Sequence, residues 1–226
     1  MIPIGRIDAT CPLYKTPLRM HHVDARRYAG VLCLFMSARA ARRPERRSTC
    51  DYDIKALSPE LLPDYLGFFD RVAFTDNPDW ASCYCVYYHH DPAGKPWDKR
   101  TGAENRELAG RLIESGRLRG FLAYTGDEPA GWCNVNDKRS FALLAPDKSL
   151  WQKPEPALCS IVCFLIAPKH RGKGLARALL DAACTAHGNG AFDSMEAYPR
   201  KNAAGSAANY HGTLSIRIGN SSSLLP

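Results

Sequence analysis

The residues best placed to do chemistry stand together: Arg171, Gly172, Lys173, Gly174, Leu175 and Ala176. An almost unbroken apolar run, Leu158 to Ile166, precedes them and predicts a strand buried on both faces. After them Leu175, Ala178, Leu179, Ala182 and Ala183 recur at helical spacing, which predicts a helix to about His187. A buried strand, a short basic turn bearing glycines and a helix together make an anion site. Glycine lets the backbone approach a phosphate closely, and the first amide N–H groups of the helix have no partner within it. Arg171 and Lys173 add positive charge where the helix dipole has the same sign. Spacing excludes two common phosphate loops. A Walker loop needs Ser or Thr where Gly174 stands, and a dinucleotide fingerprint needs a third glycine where Arg177 stands.

Several elements must position this unit. Ser58-Pro59-Glu60 reads as a helix start with a hydroxyl cap, and Leu61, Leu62, Tyr65, Leu66, Phe69 and Val72 continue it at helical spacing to about Ala73. Pro63 is tolerated because it falls in the first turns. An aromatic-rich loop from Thr75 to Trp97 leads to a second helix over Thr101 to Ser115, stopped by Gly116. Leu118–Thr125 and Ala130–Asn136 flank Gly126-Asp127-Glu128-Pro129 and predict an antiparallel hairpin. Gly188-Asn189-Gly190 ends the third helix, and Ala191–Ala197 reads as a further strand.

Taken together, Arg171-Gly172-Lys173-Gly174-Leu175-Ala176 fits Arg/Gln-x-x-Gly-x-Gly/Ala, the pyrophosphate signature of GNAT N-acetyltransferases. The chain resembles that family over roughly residues 52–215. The resemblance includes Gly131-Trp132 in the hairpin, Met195-Glu196-Ala197-Tyr198-Pro199, and Tyr210-His211-Gly212-Thr213. It implies an α/β fold, a GNAT-type mixed sheet with splayed central strands flanked by helices. Acetyl-CoA is the implied co-substrate, its pantetheine arm lying in the splay against backbone groups of Phe164, Leu165, Ile166 and Ala167. The amides from Arg171 through Gly172, Lys173, Gly174 and Leu175 to Ala176 would hold the pyrophosphate. Direct acyl transfer to an amine then requires a base, for which the resemblance offers Glu196, acting directly or through water. It also requires an acid, for which it offers Tyr210, with His211 as a substitute.

The chain departs from the family after Tyr210-His211-Gly212-Thr213-Leu214-Ser215. Relatives continue with a Tyr-bearing helix and two strands, whereas residues 216–226 form an atypical, truncated tail. The expected domain is therefore 51–215, its C-terminal strands truncated. The strand at 191–197 is expected to have an open outer edge, with lowered stability and impaired catalysis.

Composition bounds the alternatives. The hydrophobic share of 45% and charged share of 23% are those of a soluble globular domain. The net charge of +7 is accounted for by residues 1–50, with ten Lys and Arg against three acids. Residues 51–226 are formally neutral, so the folded part lacks the electrostatic footprint of a nucleic-acid surface. Residues 1–50 read as a basic, disordered arm, a targeting segment or an upstream start. The run from Tyr28 to Met36 resembles a secretory h-region placed too late in the chain. Nine cysteines, an odd number and several in apolar runs, suggest reduced thiols and a cytoplasmic protein. No apolar run is long enough to span a membrane.

Cys83-x-Cys85 with His89-His90 has metal-ligand residue types, but the gap is too short and a second pair is missing, so no metal is expected. The same loop, with Trp80, Tyr84, Tyr87 and Tyr88, reads as an acceptor-side wall or as ordinary packing. Cys133 and Cys163 have no evident His or Asn partners and are not nucleophile candidates. The acceptor stays open between a small-molecule amine and a protein amine, and a homodimer stays open too. A degenerate acyl-CoA-binding module without turnover, and nucleic-acid association through the Arg-rich arm, are the alternative functions.

Overall fold

The computed structural model describes residues 52–146, 157–187, 191–198 and 209–212, together with the backbone of 32–34. In chain order the elements are β1 (Leu32–Leu34), β2 (Asp53–Ala56), α1 (Leu62–Arg71), α2 (Gly102–Glu114), β3 (Gly120–Thr125), β4 (Glu128–Asp137), β5 (Leu158–Ile166), α3 (Leu175–His187) and β6 (Ser194–Ala197). The strands form one mixed sheet in the order β1-β6-β5-β4-β3-β2. All neighbours are antiparallel except β5 and β6, which run parallel across the α3 crossover.

Local chemistry explains where the helices begin. Thr101 caps α2 through a full capping box: its hydroxyl accepts from the Glu104 amide at 3.2 Å, and Glu104 returns a carboxylate to the Thr101 amide at 2.7 Å. The start of α1 differs from the expectation. Ser58 makes no side-chain cap; its carbonyl instead accepts from Leu61 at 3.0 Å, closing a 3-10 turn over Pro59–Leu61 that feeds α1. Pro63 sits in the first turn of α1, where its missing N–H breaks no helical bond.

Each face of the sheet buries its own core. On one face α3 places Leu175, Leu179, Leu180 and Ala183 against Cys133, Val135, Ile161 and Phe164. Gly131 makes this possible, because a Cβ there would lie 3.0 Å from Leu175 and 3.1 Å from Ile166. On the other face α1 and α2 bury Tyr65, Phe68, Leu112 and Ile113 over Leu122 and Trp132. Trp132 is fully buried and meets Tyr65 edge-on at 5.0 Å between ring centroids. Among the described residues no helix is long and apolar enough to cross a membrane.

One expectation is overturned. The outer edge of β6 is not open: Leu32, Cys33 and Leu34 pair antiparallel with Ala197, Glu196 and Met195. Leu32–Leu34 thus form an edge strand, which covers backbone donors and acceptors of β6 that would otherwise template aggregation. Removing residues 1–50 should therefore lower the thermal midpoint and promote association, read by a thermal scan with light scattering; an unchanged, monodisperse product would contradict this role. The tail at 216–226 lies outside the described residues.

Candidate active site

Among the described residues β5 outruns its neighbour β6, and the edge of β5 beyond the end of their pairing is termed the gap. Pairing with β6 ends at Ile161 opposite Ala197, yet β5 continues to Ile166. At the same point β5 bulges: Asn134 opposes Cys163, and the next residue of β4, Val135, opposes Ile161, so Val162 is an extra residue. Bulges re-aim side chains and end pairing, and they concentrate beside active sites. Beyond this bulge Phe164 faces the α3 core and Leu165 the other.

Residues 209–212 lie beside the run of β5 that continues past its pairing with β6. The Tyr210 carbonyl accepts from the Phe164 amide at 2.5 Å, so one backbone donor expected to meet a cofactor arm already has an in-chain partner. Two further groups of the expected set are also engaged. The Ile166 carbonyl accepts from Arg171 Nε at 3.0 Å, and the Ala167 amide donates to Ala130 at 2.9 Å. Tyr210 is buried and meets Trp80 edge-on at 5.8 Å.

The glycine turn stands at the far end of this strand. Gly172 and Gly174 hold φ of +73° and +87°, the left-handed region that glycine adopts without strain. A Cβ on either would find nothing within 4 Å, so the outer face of the turn is open. The helical ladder begins with the bond from Ala178 to the Gly174 carbonyl at 3.0 Å, so the amides of Leu175, Ala176 and Arg177 precede it. Lys173 is exposed at the same turn. The open left-handed turn and these leading amides fit a pyrophosphate. Arg171 is deployed differently from the expectation. Its guanidinium grips Asp76 through both Nη atoms, the Nη2 bond being 3.1 Å, and ties the loop after α1 to the strand end. The hydrogen bond from Arg171 holds the Asp76 carboxyl below the usual carboxylate range.

Behind the gap lies a buried polar cluster on the α1/α2 side. Lys138 Nζ is 2.8 Å from Glu196 Oε1, their side chains 0% and 2% exposed. The same oxygen accepts from Ser160 Oγ at 2.6 Å and from the Tyr198 hydroxyl. Glu196 is thus a shielded carboxylate rather than one facing solvent. Ser160 and Glu196 are lateral partners in the β5–β6 ladder. Ser160 and Tyr198 lie in segments noted from the sequence, but neither they nor Lys138 had a role assigned there. The available signal was a lone hydroxyl and a lone acid in otherwise apolar strands, since buried polar groups need partners.

The aromatic loop divides. Trp80 meets Tyr210, and the Tyr88 hydroxyl lies 3.2 Å from His211 Nε2, so these two face the gap. Tyr84 packs inward on Phe69 and donates to Asp70 at 2.6 Å, and Tyr87 packs on Trp97. Tyr84 and Cys85 have φ of +44° and +52°, an uncommon pair of left-handed non-glycine residues. Cys85, His89 and Asn134 form a buried group: Asn134 Nδ2 reaches the Cys85 carbonyl at 3.1 Å and His89 Nε2 at 3.2 Å. Among the described residues no three His, Cys, Asp or Glu side chains converge on a metal position. Burial pushes the Cys133 thiol well above its ordinary value.

His89 supplies a pH prediction. Burial drives its imidazole down to about 4, and only the neutral ring can accept from Asn134. An imidazole depressed by folding contributes stability above its unfolded value of about 6.5, lost as pH falls from there toward the folded value. The full loss is about 3 kcal/mol. Urea midpoints at pH 7 and pH 4.5 should fall less for His89→Gln than for the wild type; equal falls would mean that His89 takes up its proton in the folded state.

Comparison with known proteins bears on the whole arrangement. The profile of the acetyltransferase (GNAT) family matches residues 78–211. Among solved structures the chain is similar to the ribosomal-protein-alanine N-acetyltransferase from Brucella melitensis biovar Abortus 2308, at 14% identity over 60% of this chain and 70% of that one, with a TM-score of 0.36. It is similar to the aminoglycoside N-acetyltransferase AAC(6')-Iy in complex with CoA, at 12% identity over 65% and 74%, with a TM-score of 0.39. A third is an aminoglycoside acetyltransferase from an uncultured soil metagenomic sample in complex with sisomicin, at 12% identity over 64% and 74%, with a TM-score of 0.40. No curated protein matches the chain. With the family profile covering the aromatic loop, the bulged strand, the glycine turn and the residues beside the gap, the chain belongs to the acetyltransferase (GNAT) family.

Proposed function

We propose that the protein is an acetyl-CoA-dependent N-acetyltransferase that moves the acetyl group directly to a primary amine of a small molecule or a protein. The observation that carries the reading is the alignment of two features on one strand. Among the described residues β5 runs on past the end of its pairing with β6 at Ile161, and it ends at a turn whose glycines leave an open face beside the first amides of α3. Acetyl-CoA, when bound, supplies the activated thioester. The backbone from Phe164 to Ala167 would orient its arm, with the Phe164 amide first released from Tyr210. The amides from Arg171 to Ala176 would hold its pyrophosphate, and Arg171 keeps the turn and the Asp76 loop in register. Glu196 acts from behind the site: its carboxylate is covered, and its charge reaches the gap through the Tyr198 hydroxyl. The Tyr210 hydroxyl is assigned to protonate the leaving thiolate. The described cysteines are free thiols, in keeping with a cytoplasmic location.

The test is calorimetry of acetyl-CoA with the full chain, followed by thiol release with a panel of primary amines. Micromolar binding and amine-dependent release are expected. Binding without release would leave the degenerate acyl-CoA module, and no binding by folded protein would overturn both.

A further inference from the structure

Resting on that acetyl-transfer reading, we propose that Tyr88 and His211 form the proton path out of the attacking amine. The Tyr88 hydroxyl touches the amine, and the His211 imidazole takes the proton.

A primary amine arrives protonated at neutral pH, since alkylammonium groups titrate near 10. It must lose a proton before its lone pair can attack. Glu196 is badly placed to receive it: 2% exposed, it has one oxygen already taking Lys138, Ser160 and Tyr198. His211 is buried too, but Tyr88 in front of it is only half-buried, and the Tyr88 hydroxyl lies 3.2 Å from His211 Nε2. Both residues stand at the gap. Tyr88 packs on the cluster that contains Val162, the extra residue of the bulge. His211 follows Tyr210, whose carbonyl holds the Phe164 amide, and its ring lies 6.2 Å from that of Tyr198. Tyr198 thereby links the pair to the Glu196 cluster, which makes Glu196 a positioning residue.

The transfer balances as follows. An N–H bond of the ammonium breaks and its proton joins the Tyr88 oxygen, while the Tyr88 O–H proton passes to His211 Nε2. Tyrosine ends neutral, histidine ends as imidazolium, and the amine gains its lone pair. When the new C–N bond forms and the C–S bond breaks, the Tyr210 hydroxyl gives its proton to the thiolate sulfur and takes the proton shed by nitrogen, so that it ends neutral, and the imidazolium later releases its proton to water.

Thiol release at saturating acetyl-CoA, measured for the wild type, Tyr88→Phe, His211→Gln and the double variant, tests the path. Each single variant should lower kcat about 100-fold with KM for acetyl-CoA unchanged. The double variant should be no slower than the worse single, because the two act as one unit. The acid limb of the wild-type kcat–pH profile should vanish in His211→Gln. Wild-type kcat in Tyr88→Phe, or multiplicative losses in the double variant, would overturn the path. A second readout needs no substrate: NMR titration of the His211 ring should shift in Tyr88→Phe, and an unchanged titration would also overturn it. Failure of the wild type to bind acetyl-CoA sinks the transferase reading itself, whereas normal turnover in Tyr88→Phe sinks only the proton path.

Discussion

Lys138→Met is expected to destabilise the protein by about 3–5 kcal/mol, read as a fall in the urea midpoint at pH 7. Lys138 is fully buried and its ammonium lies 2.8 Å from the almost fully buried Glu196. Methionine fills a similar volume but carries no charge, so the carboxylate keeps only the Ser160 and Tyr198 hydroxyls as partners. An uncompensated buried charge is among the few single changes that exceed the common range of mutational effects. A control isolates the cause. The double variant Lys138→Met with Glu196→Gln should recover most of the loss, since an amide can still meet both hydroxyls. A single variant as stable as the wild type, or a double variant with additive losses, would mean that water reaches the pair and that the sheet does not depend on it.

The same cluster shows where the sequence stops being legible. The β5–turn–α3 unit could be read because its signals are local: an apolar run, two glycines and a helical period within a few dozen residues. The start of α2 at Thr101 and its stop at Gly116 were readable for the same reason. The Lys138–Ser160–Glu196–Tyr198 group draws on three segments of chain, and nothing local to Lys138 says that it turns inward. The bulge at Val162 has no residue signature either. Val162 and Cys163 are ordinary strand residues, and the bulge is a property of the register between β4 and β5. Leu32–Leu34 were visible as part of an apolar run but not as an edge strand, because an apolar run does not say what it covers. Ser58 shows the converse: a good capping residue left unused, since Pro59 and Glu60 close a 3-10 turn before the helix begins. Tyr88 and His211 lie 123 positions apart, beyond the reach of any spacing argument.

Gly174→Asp should weaken acetyl-CoA binding about 100-fold or more, equivalent to roughly 3 kcal/mol, while leaving the protein folded. Two features of the turn separate those effects. A Cβ at 174 would meet no protein atom within 4 Å, so the side chain starts out from the turn into open space. A carboxylate at a helix N-terminus is also favourable for the helix itself, because it complements the dipole. What opposes it is the φ of +87°, which costs an L-residue on the order of 1 kcal/mol and leaves a folded domain. The open face is where the pyrophosphate is expected, and there an aspartate both fills the space and repels the anion in the field of the same amides. Gly174→Ala separates strain from charge: it carries the same backbone penalty without the carboxylate, so it should lose about tenfold less affinity than the aspartate. Calorimetry of acetyl-CoA with the three proteins, alongside their thermal midpoints, gives both readings. Equal affinities for wild type and aspartate variant would place the pyrophosphate away from this turn. Equal losses for alanine and aspartate would assign the effect to the backbone alone. The expected order, wild type above alanine above aspartate with similar midpoints for the two variants, would tie anion recognition to the face that Gly174 leaves open.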